Sequence, residues 1–277
     1  MMLIAANSST LRIIRLRSVS KRPMIFFKNK TVRFWLISLI LPLILLGLWK
    51  GADLLGMLKP YTMPKPESIV STAVELAKDG KLLKHIFSSF SLVLRGFLLA
   101  LGAAFILGIA IGLSKKIEAF FELTVQILKP IPPIAWIPLS ILWFGIKDES
   151  KLYIIFLGAL FPILLNVVGG IQSIDKRYFE LARVYETSKA RLIFKVILPG
   201  ALPQIVTGIR VGLGNAWVCV VAAEMIAAMS GVGYLLTYGR SLSRPDMVIL
   251  AMLLIGVIGK VMDDVLKFAG RKLTKWN

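Results

Sequence analysis

The strongest constraint on this chain is a series of long apolar segments separated by short polar stretches. A helix needs about 20 mainly apolar residues to cross the roughly 30 Å hydrocarbon core of a bilayer. With 57% hydrophobic residues among 277, the chain has too little polar surface for a soluble domain of this size. We therefore predict an all-α, polytopic membrane protein of about six transmembrane helices. The predicted spans are residues 34–49, 88–113, 120–144, 152–171, 205–228 and 247–262.

The cations of the chain indicate its orientation. The formal net charge is +19, but the lysines and arginines lie between apolar segments rather than in the clustered patch that nucleic acid requires. We exclude a nucleic-acid partner for this reason. With the N-terminus inside, 20 cations flank the spans on the inner side and 10 on the outer side. Cytoplasmic loops carry the excess of Lys and Arg, so we expect a multi-pass protein of the bacterial cytoplasmic (inner) membrane with both termini cytoplasmic.

The same pattern predicts the organisation of the chain. Residues 67–76, which follow Pro60, Pro64 and Pro66, read as a short amphipathic helix at the outer interface. We predict the following segments: a basic cytoplasmic tail at 1–33; the first span and extracytoplasmic amphipathic segment at 34–85; the transmembrane permease domain at 86–265, with a cytoplasmic loop at 172–201; and a cytoplasmic tail at 266–277.

Residue types argue against an enzyme. Cys219 and His85 are the only residues of their kinds, which excludes an intrachain disulfide, a cysteine metal cluster and the usual histidine sites. No cluster of catalytic residue types recurs at suitable spacing. We expect no cofactor and no metal.

Two predicted spans break the rules for membrane helices. Four prolines at 130, 132, 133 and 138 interrupt the third, and each removes a helical hydrogen-bond donor. This pattern indicates a broken helix that lines a pathway or acts as a pivot, a kinked packing helix, or a span that starts later, with residues 117–128 on the inner surface. The pairs Gly108/Gly112 and Gly208/Gly212 permit close helix packing.

In the fifth span, Arg210 and Glu224 belong to one helical stripe. They lie about 21 Å apart along it. Such charges normally face a bundle interior or water, although both could instead reach opposite membrane surfaces. Arg95 in the second span could attract an anionic solute or pair with a carboxylate such as Glu224. The stripe consists of Arg210, Gly214, Trp217, Val221, Glu224 and Ala228.

The loop between the fourth and fifth spans predicts two short helices. Asp175 can cap the first and Ser188 the second, and Pro199 is expected to end the segment. Leu181 and Tyr185, with Ala182, would form one side of a docking surface. A structured cytoplasmic loop without a partner remains the alternative.

This loop resembles the EAA loop of permease subunits of binding-protein-dependent ABC importers, whose pattern is E-A-A-x3-G-x9-I-x-L-P. Glu180-Leu181-Ala182 and Val196-Ile197-Leu198-Pro199 match its spacing. Leu181 replaces the first Ala, and Glu186 stands where the family usually has Gly, which puts the tight turn between the helices in doubt. The residues that this resemblance implies for coupling to an ATPase are Glu180, Leu181, Ala182, Glu186, Ser188, Leu198 and Pro199.

Further segments resemble the nitrate/sulfonate/taurine branch of that family. They include residues 128–139, 142–146, 161–166 and 223–233, in a resemblance extending over about 64–276. The resemblance implies the MetI-like type I permease fold, a membrane dimer, two cytoplasmic ABC ATPase subunits and an extracytoplasmic binding protein. It also implies a small anionic solute, with aliphatic sulfonate or taurine first, nitrate or bicarbonate second, and a thiamine- or riboflavin-type precursor third.

The implied mechanism is alternating access. The chain lacks the phosphate-binding pattern G-x-x-x-x-G-K-[ST], so ATP hydrolysis must occur on a partner. An ion-coupled secondary transporter and a non-transporting membrane scaffold are the rival classes, but we find no internal repeat. An anion needs hydrogen-bond donors along its route, although Glu224 would repel it and is expected to pair a cation or hold the outer gate. The candidate pathway residues are Arg95, Trp136, Asn166, Asn215, Trp217 and Glu224.

Overall fold

The computed structural model of the protein describes residues 26–57 and 63–273, and this part of the chain is all-helical. Pro60, the last four residues and most of the predicted tail at 1–33 lie outside it. The α-helices are α1 (Phe26–Leu54), α2 (Pro66–Lys78), α3 (Lys81–Leu113), α4 (Lys115–Leu128), α5 (Ile137–Phe144), α6 (Asp148–Gln172), α7 (Lys176–Val184), α8 (Lys189–Leu192), α9 (Leu198–Ala227), α10 (Val232–Ser241) and α11 (Pro245–Leu273).

Within the described residues, four helical stretches are long and apolar enough to cross a membrane. They contain α1, α3, α6 and α9, and a fifth is added if α4 and the helices after it form one broken span. α11 covers the sixth predicted span but is not among them. Its 29 residues include Lys260, Asp263 and Asp264, whose charges lower its mean hydropathy.

The third predicted span is broken. α4 ends at Leu128, a 3₁₀ turn covers Pro133–Trp136, and α5 follows, with an 84° bend between the two arms. Proline explains the break, because each ring removes a backbone donor and clashes with the preceding turn. The expectation of a broken helix is confirmed in this respect.

α6 packs between α3 and α9, and glycines provide the close contacts. A Cβ at Gly108 would lie 2.6 Å from Val167 of α6, and one at Gly212 would lie 2.6 Å from Ile163. Fully buried residues of α6, such as Ala159, form the centre of this core. Both predicted glycine pairs therefore serve helix packing, and Cys219 is buried in the same core.

We expect Gly108→Ala to destabilise the protein. The new methyl group would overlap Val167, whose branched side chain cannot move aside freely, and such overpacking costs about 1–3 kcal/mol. Gly102→Ala on the same helix is the matched control, because no atom lies within 4 Å of its added Cβ. Thermal unfolding in detergent should show a lower midpoint for Gly108→Ala only. Equal midpoints would contradict this account of the α3–α6 contact.

The predicted amphipathic helix is confirmed as α2. It buries Ile69, Thr72 and Leu76, and a polar cluster fastens it to the turn before α11. Arg244 donates to Asp246 at 2.8 Å and to Thr72 at 3.0 Å. The hydrogen bond to Asp246 raises the pKa of Arg244 above its usual value, so the pair stays charged at neutral pH.

Candidate coupling loop and translocation residues

The loop between α6 and α9 starts as the sequence predicts. The Asp175 carboxylate accepts a hydrogen bond of 2.9 Å from the Arg177 N–H and so caps α7. Ser188 occupies the position before α8, but its side chain makes no capping hydrogen bond. The first predicted cap is confirmed, and the second is wrong as a side-chain cap.

The tight turn between α7 and α8 forms without glycine. Glu186 has a φ of 47°, in the left-handed region that favours glycine. Its N–H donates to the Arg183 carbonyl at 3.2 Å, and the Thr187 N–H donates to the Ala182 carbonyl at 2.8 Å. This pair of bonds is the Schellman arrangement that ends many helices. The surrounding bonds therefore hold Glu186 in a conformation that costs an L-residue about 1–2 kcal/mol.

We expect Glu186→Gly to stabilise the protein by up to about 1 kcal/mol, because glycine enters the left-handed region without a steric penalty. Glu180→Gly, six residues earlier and within α7, is the control for the same chemical change. It should destabilise by about 1 kcal/mol, since glycine disfavours a helix interior. Thermal unfolding in detergent measures both effects. A lower midpoint for Glu186→Gly would contradict the inferred strain.

One side of the loop is anchored and the other is open. Phe179, Leu192 and Ile193 pack against the core, while Ala182 is half-buried. Large apolar side chains remain exposed by 53% to 77%, and a contiguous apolar patch of this kind marks an interaction site. We call it the coupling patch; it consists of Tyr178, Leu181, Val184, Tyr185 and Phe194, with Glu180 exposed beside it.

The helix does not end at Pro199, so that prediction is wrong. A π-helical stretch covers Ile193–Ile197, and α9 begins directly at Leu198 with Pro199 in its first turn. Proline is tolerated there because the first turn of a helix needs no N–H from it. A continuous helical rod therefore runs from α8 through α9, and it connects the coupling patch to the longest helix of the core.

The predicted stripe on α9 faces neighbouring helices. Arg210 forms a double hydrogen bond with Asp263 of α11, with a shortest distance of 2.8 Å. The Trp217 Nε1–H donates to the Ile255 carbonyl at 3.0 Å. Glu224 is 1% exposed, so it does not reach the membrane surface, as one alternative had suggested.

The other candidate pathway residues are dispersed. Arg95 is exposed and donates to Asp148 at 3.4 Å, so its partner is a carboxylate other than Glu224. Trp136 packs edge-on against Tyr153, with ring centroids 6.4 Å apart.

Asn166 and Asn215 differ in the same way. The half-buried Asn166 side chain donates to the Pro162 carbonyl at 2.8 Å and lies against Gly208. Asn215 is exposed. Of the six candidates, therefore, Asn215 lies on an open face of α9, and the structure does not bring the six together around one space.

The open face of α9 runs along the whole helix. Its exposed residues recur at steps of three and four and include three polar side chains, which lipid-facing helices avoid. Sequence reasoning missed this face because it followed the charged residues instead. The face consists of Gln204, Thr207, Val211, Gly214, Asn215, Val218 and Met225.

Three partners were also missed, namely Asp263, Asp148 and Ser89. Each had a signal in the sequence: Asp263 lies at the polar end of the last apolar segment, Asp148 begins the fourth, and Ser89 belongs to a run of serines. Among the described residues, no group of three or more His, Cys, Asp and Glu side chains is placed to hold a metal ion.

A helical membrane bundle with an exposed apolar loop that continues into a core helix defines a transport permease driven from outside its own chain. The chain belongs to the family described as binding-protein-dependent transport system inner membrane component, which it matches over residues 80–275. It is 39% identical to SsuC of Bacillus subtilis (strain 168), whose name describes an aliphatic sulfonates transport permease, over 87% of this chain and 88% of that protein. It is 30% identical to TauC of Escherichia coli (strain K12), a taurine transport system permease, over 84% and 87%.

The fold has a solved counterpart. The MetNI methionine ABC transporter, in inward-facing conformations, contains a chain that superimposes with a TM-score of 0.57 at 19% identity, over 70% of this chain and 94% of that one. The expected MetI-like fold and the nitrate/sulfonate/taurine branch are confirmed. The protein is a transport subunit and a multi-pass protein of the inner membrane, which removes the ion-coupled and scaffold classes.

Proposed function

We propose that the chain is the membrane subunit of an ATP-driven importer and carries a small anion, with aliphatic sulfonate or taurine as first choice. The observation that carries this proposal is the coupling patch on α7, which is displayed on a loop continuous with α9. The names of SsuC and TauC support the solute class. Nitrate or bicarbonate ranks second, and a thiamine- or riboflavin-type precursor third.

The ATPase is proposed to bind the coupling patch from the cytoplasm. The chain carries no phosphate-binding loop of its own, so two partner ATPase subunits hydrolyse ATP. Leu181 and Tyr185 would contact the ATPase directly, and Glu180 and Ser188 would flank the contact. Ala182 and Glu186 would shape the turn, while Leu198 and Pro199 would transmit its motion into α9.

The pathway is proposed to form along the open face of α9, opposite a second copy of this chain. Asn215 then lies on the route, with Gln204 and Thr207 as additional polar groups. Arg95, Trp136, Asn166, Trp217 and Glu224 would hold the helices that border it, since each contacts a neighbouring element.

The domain organisation follows from the same proposal. Residues 86–265 form the permease domain, with the coupling loop at 172–201 on the cytoplasmic side together with both termini. An extracytoplasmic binding protein delivers the solute at the opposite end, where the segment at 34–85 contributes α2. The tails at 1–33 and 266–277 remain in the cytoplasm.

The test is ATPase activity of the reconstituted complex of this chain, its co-encoded ATPase and its binding protein. Taurine, alkanesulfonates, nitrate, bicarbonate and thiamine-type pyrimidines are compared, with Glu180→Lys as the uncoupling control. We expect a sulfonate or taurine to stimulate hydrolysis in the wild type and not in the control. Stimulation by nitrate or a pyrimidine alone would replace the solute. Failure of the ATPase to co-purify, with a control that behaves like wild type, would remove the importer mechanism.

A further inference from the structure

The end of α9 opposite the coupling loop holds a carboxylate that is buried without a cation. Glu224 is 1% exposed and takes part in none of the salt bridges among the described residues. A buried charge is costly unless it is paired or fully hydrogen-bonded. The groups that bind this carboxylate therefore show what it does.

The start of α10 supplies part of the answer. Three consecutive N–H groups there each donate to a side chain of another helix: Gly231 to His85 Nδ1 at 3.1 Å, Val232 to Ser89 Oγ at 2.8 Å, and Gly233 to Glu224 Oε2 at 3.0 Å. The first N–H groups of a helix lack partners within it, and they carry partial positive charge. The charge of Glu224 is thus balanced by the start of α10.

Ser89 joins the third helix to this site. Its Oγ lies 2.7 and 2.8 Å from the two carboxylate oxygens of Glu224, to which it donates. The neighbouring Ser88 and Ser230 hydroxyls lie 2.9 Å apart. Side chains from α3 and α9 therefore bind the backbone of α10 at one point.

The backbone at this point is closed around the carboxylate. Gly231 has a φ of +119°, and a Cβ there would lie 2.2 Å from the Glu224 carboxyl carbon. A Cβ at Gly233 would lie 2.4 Å from the Val221 carbonyl oxygen. Only glycine allows this approach, and no space is left for a solute beside the carboxylate.

We propose that Glu224 is a positioning residue that fastens the start of α10 to α3 and α9, so that these helix ends move together during transport. The proposal rests on the function proposed above. α9 is 30 residues long, which corresponds to about 45 Å, so a movement at the coupling loop reaches Glu224 through one helix. Without the fastening, ATP hydrolysis continues while the far end of the bundle no longer follows it.

The experiment compares Glu224→Ala, Glu224→Gln and Ser89→Ala in the full reconstituted complex. Hydrogen exchange measures the amides of Val232 and Gly233, and a second assay measures taurine transported per ATP hydrolysed. We expect Glu224→Ala to speed exchange at these amides by about tenfold or more, as loss of a hydrogen bond to a charged group does, and to lower transport per ATP by a similar factor. Ser89→Ala should show a smaller shift of both. Glu224→Gln keeps acceptor and donor atoms in place and should resemble the wild type.

Other outcomes overturn the proposal. Unchanged exchange at the start of α10 in both alanine variants would show that the carboxylate does not hold the helix. Loss of transport in Glu224→Gln with protected amides would show that the charge itself acts. A complex whose amount falls while transport per ATP stays constant would indicate a merely structural residue. If the wild type does not move taurine, the proposed solute fails, whereas the exchange comparison still decides the fastening.

Discussion

The Leu181→Arg variant is expected to fold normally and to lose its ATPase partner. Leu181 is 53% exposed and lies within the coupling patch, so an arginine side chain can extend into water in the isolated subunit. In the complex the same position would be covered, and the guanidinium would be buried without a carboxylate. Truncation or replacement of a central interface residue costs about 2 kcal/mol or more, which corresponds to at least about a thirtyfold loss of affinity.

Co-purification of the ATPase with this chain measures the effect. Val70→Arg is the matched control, because Val70 is 64% exposed and lies on α2, outside the coupling loop. The control should retain the ATPase in full and show wild-type hydrolysis when reconstituted. Retention of the ATPase by Leu181→Arg as well would mean that α7 is not its docking site.

Residues with strong local rules were predictable from the sequence. The amphipathic α2, the proline break after α4, the glycine contacts of α3 and α9, and the Asp175 cap all depend on nearest neighbours or on one helix face. Pro199 was misread because a rule for chain ends was applied to a first-turn proline, which the preceding π-helical turn leads into without a break. Glu186 shows the reverse, since tertiary hydrogen bonds hold a residue that local preference opposes.

The direction in which α9 faces was not predictable in the same way. In a soluble helix the apolar side points to the core, but a membrane helix is apolar on every side, so hydropathy does not distinguish a neighbouring helix from lipid. The charges of Arg210 and Glu224 marked the side that packs against α11 and α10. The open face followed only from the packing of α6 and α11, which no single segment of sequence contains.

That open face leads to the second large effect, which concerns Asn215. An exposed amide halfway along a spanning helix would be poorly solvated in lipid, whereas a water-filled route between two copies would accept it. If Asn215 donates to the anion as it passes, Asn215→Leu removes a hydrogen bond to a charged group, worth about 1.5–3 kcal/mol. We therefore expect solute transport to fall by about tenfold to a hundredfold, with binding of the ATPase unchanged.

Labelling separates a pathway residue from one that faces lipid. In a Cys219→Ala background, Asn215→Cys should react with a membrane-impermeant, charged thiol reagent added to the reconstituted complex. Leu98→Cys is the control, since Leu98 is 53% exposed on α3 and its thiol would lie in lipid. Only the thiolate reacts, and apolar surroundings suppress it, so each unit of pKa separates the two rates by about tenfold. Slow labelling at both positions, together with normal transport by Asn215→Leu, would place the open face of α9 against lipid and move the pathway elsewhere in the bundle.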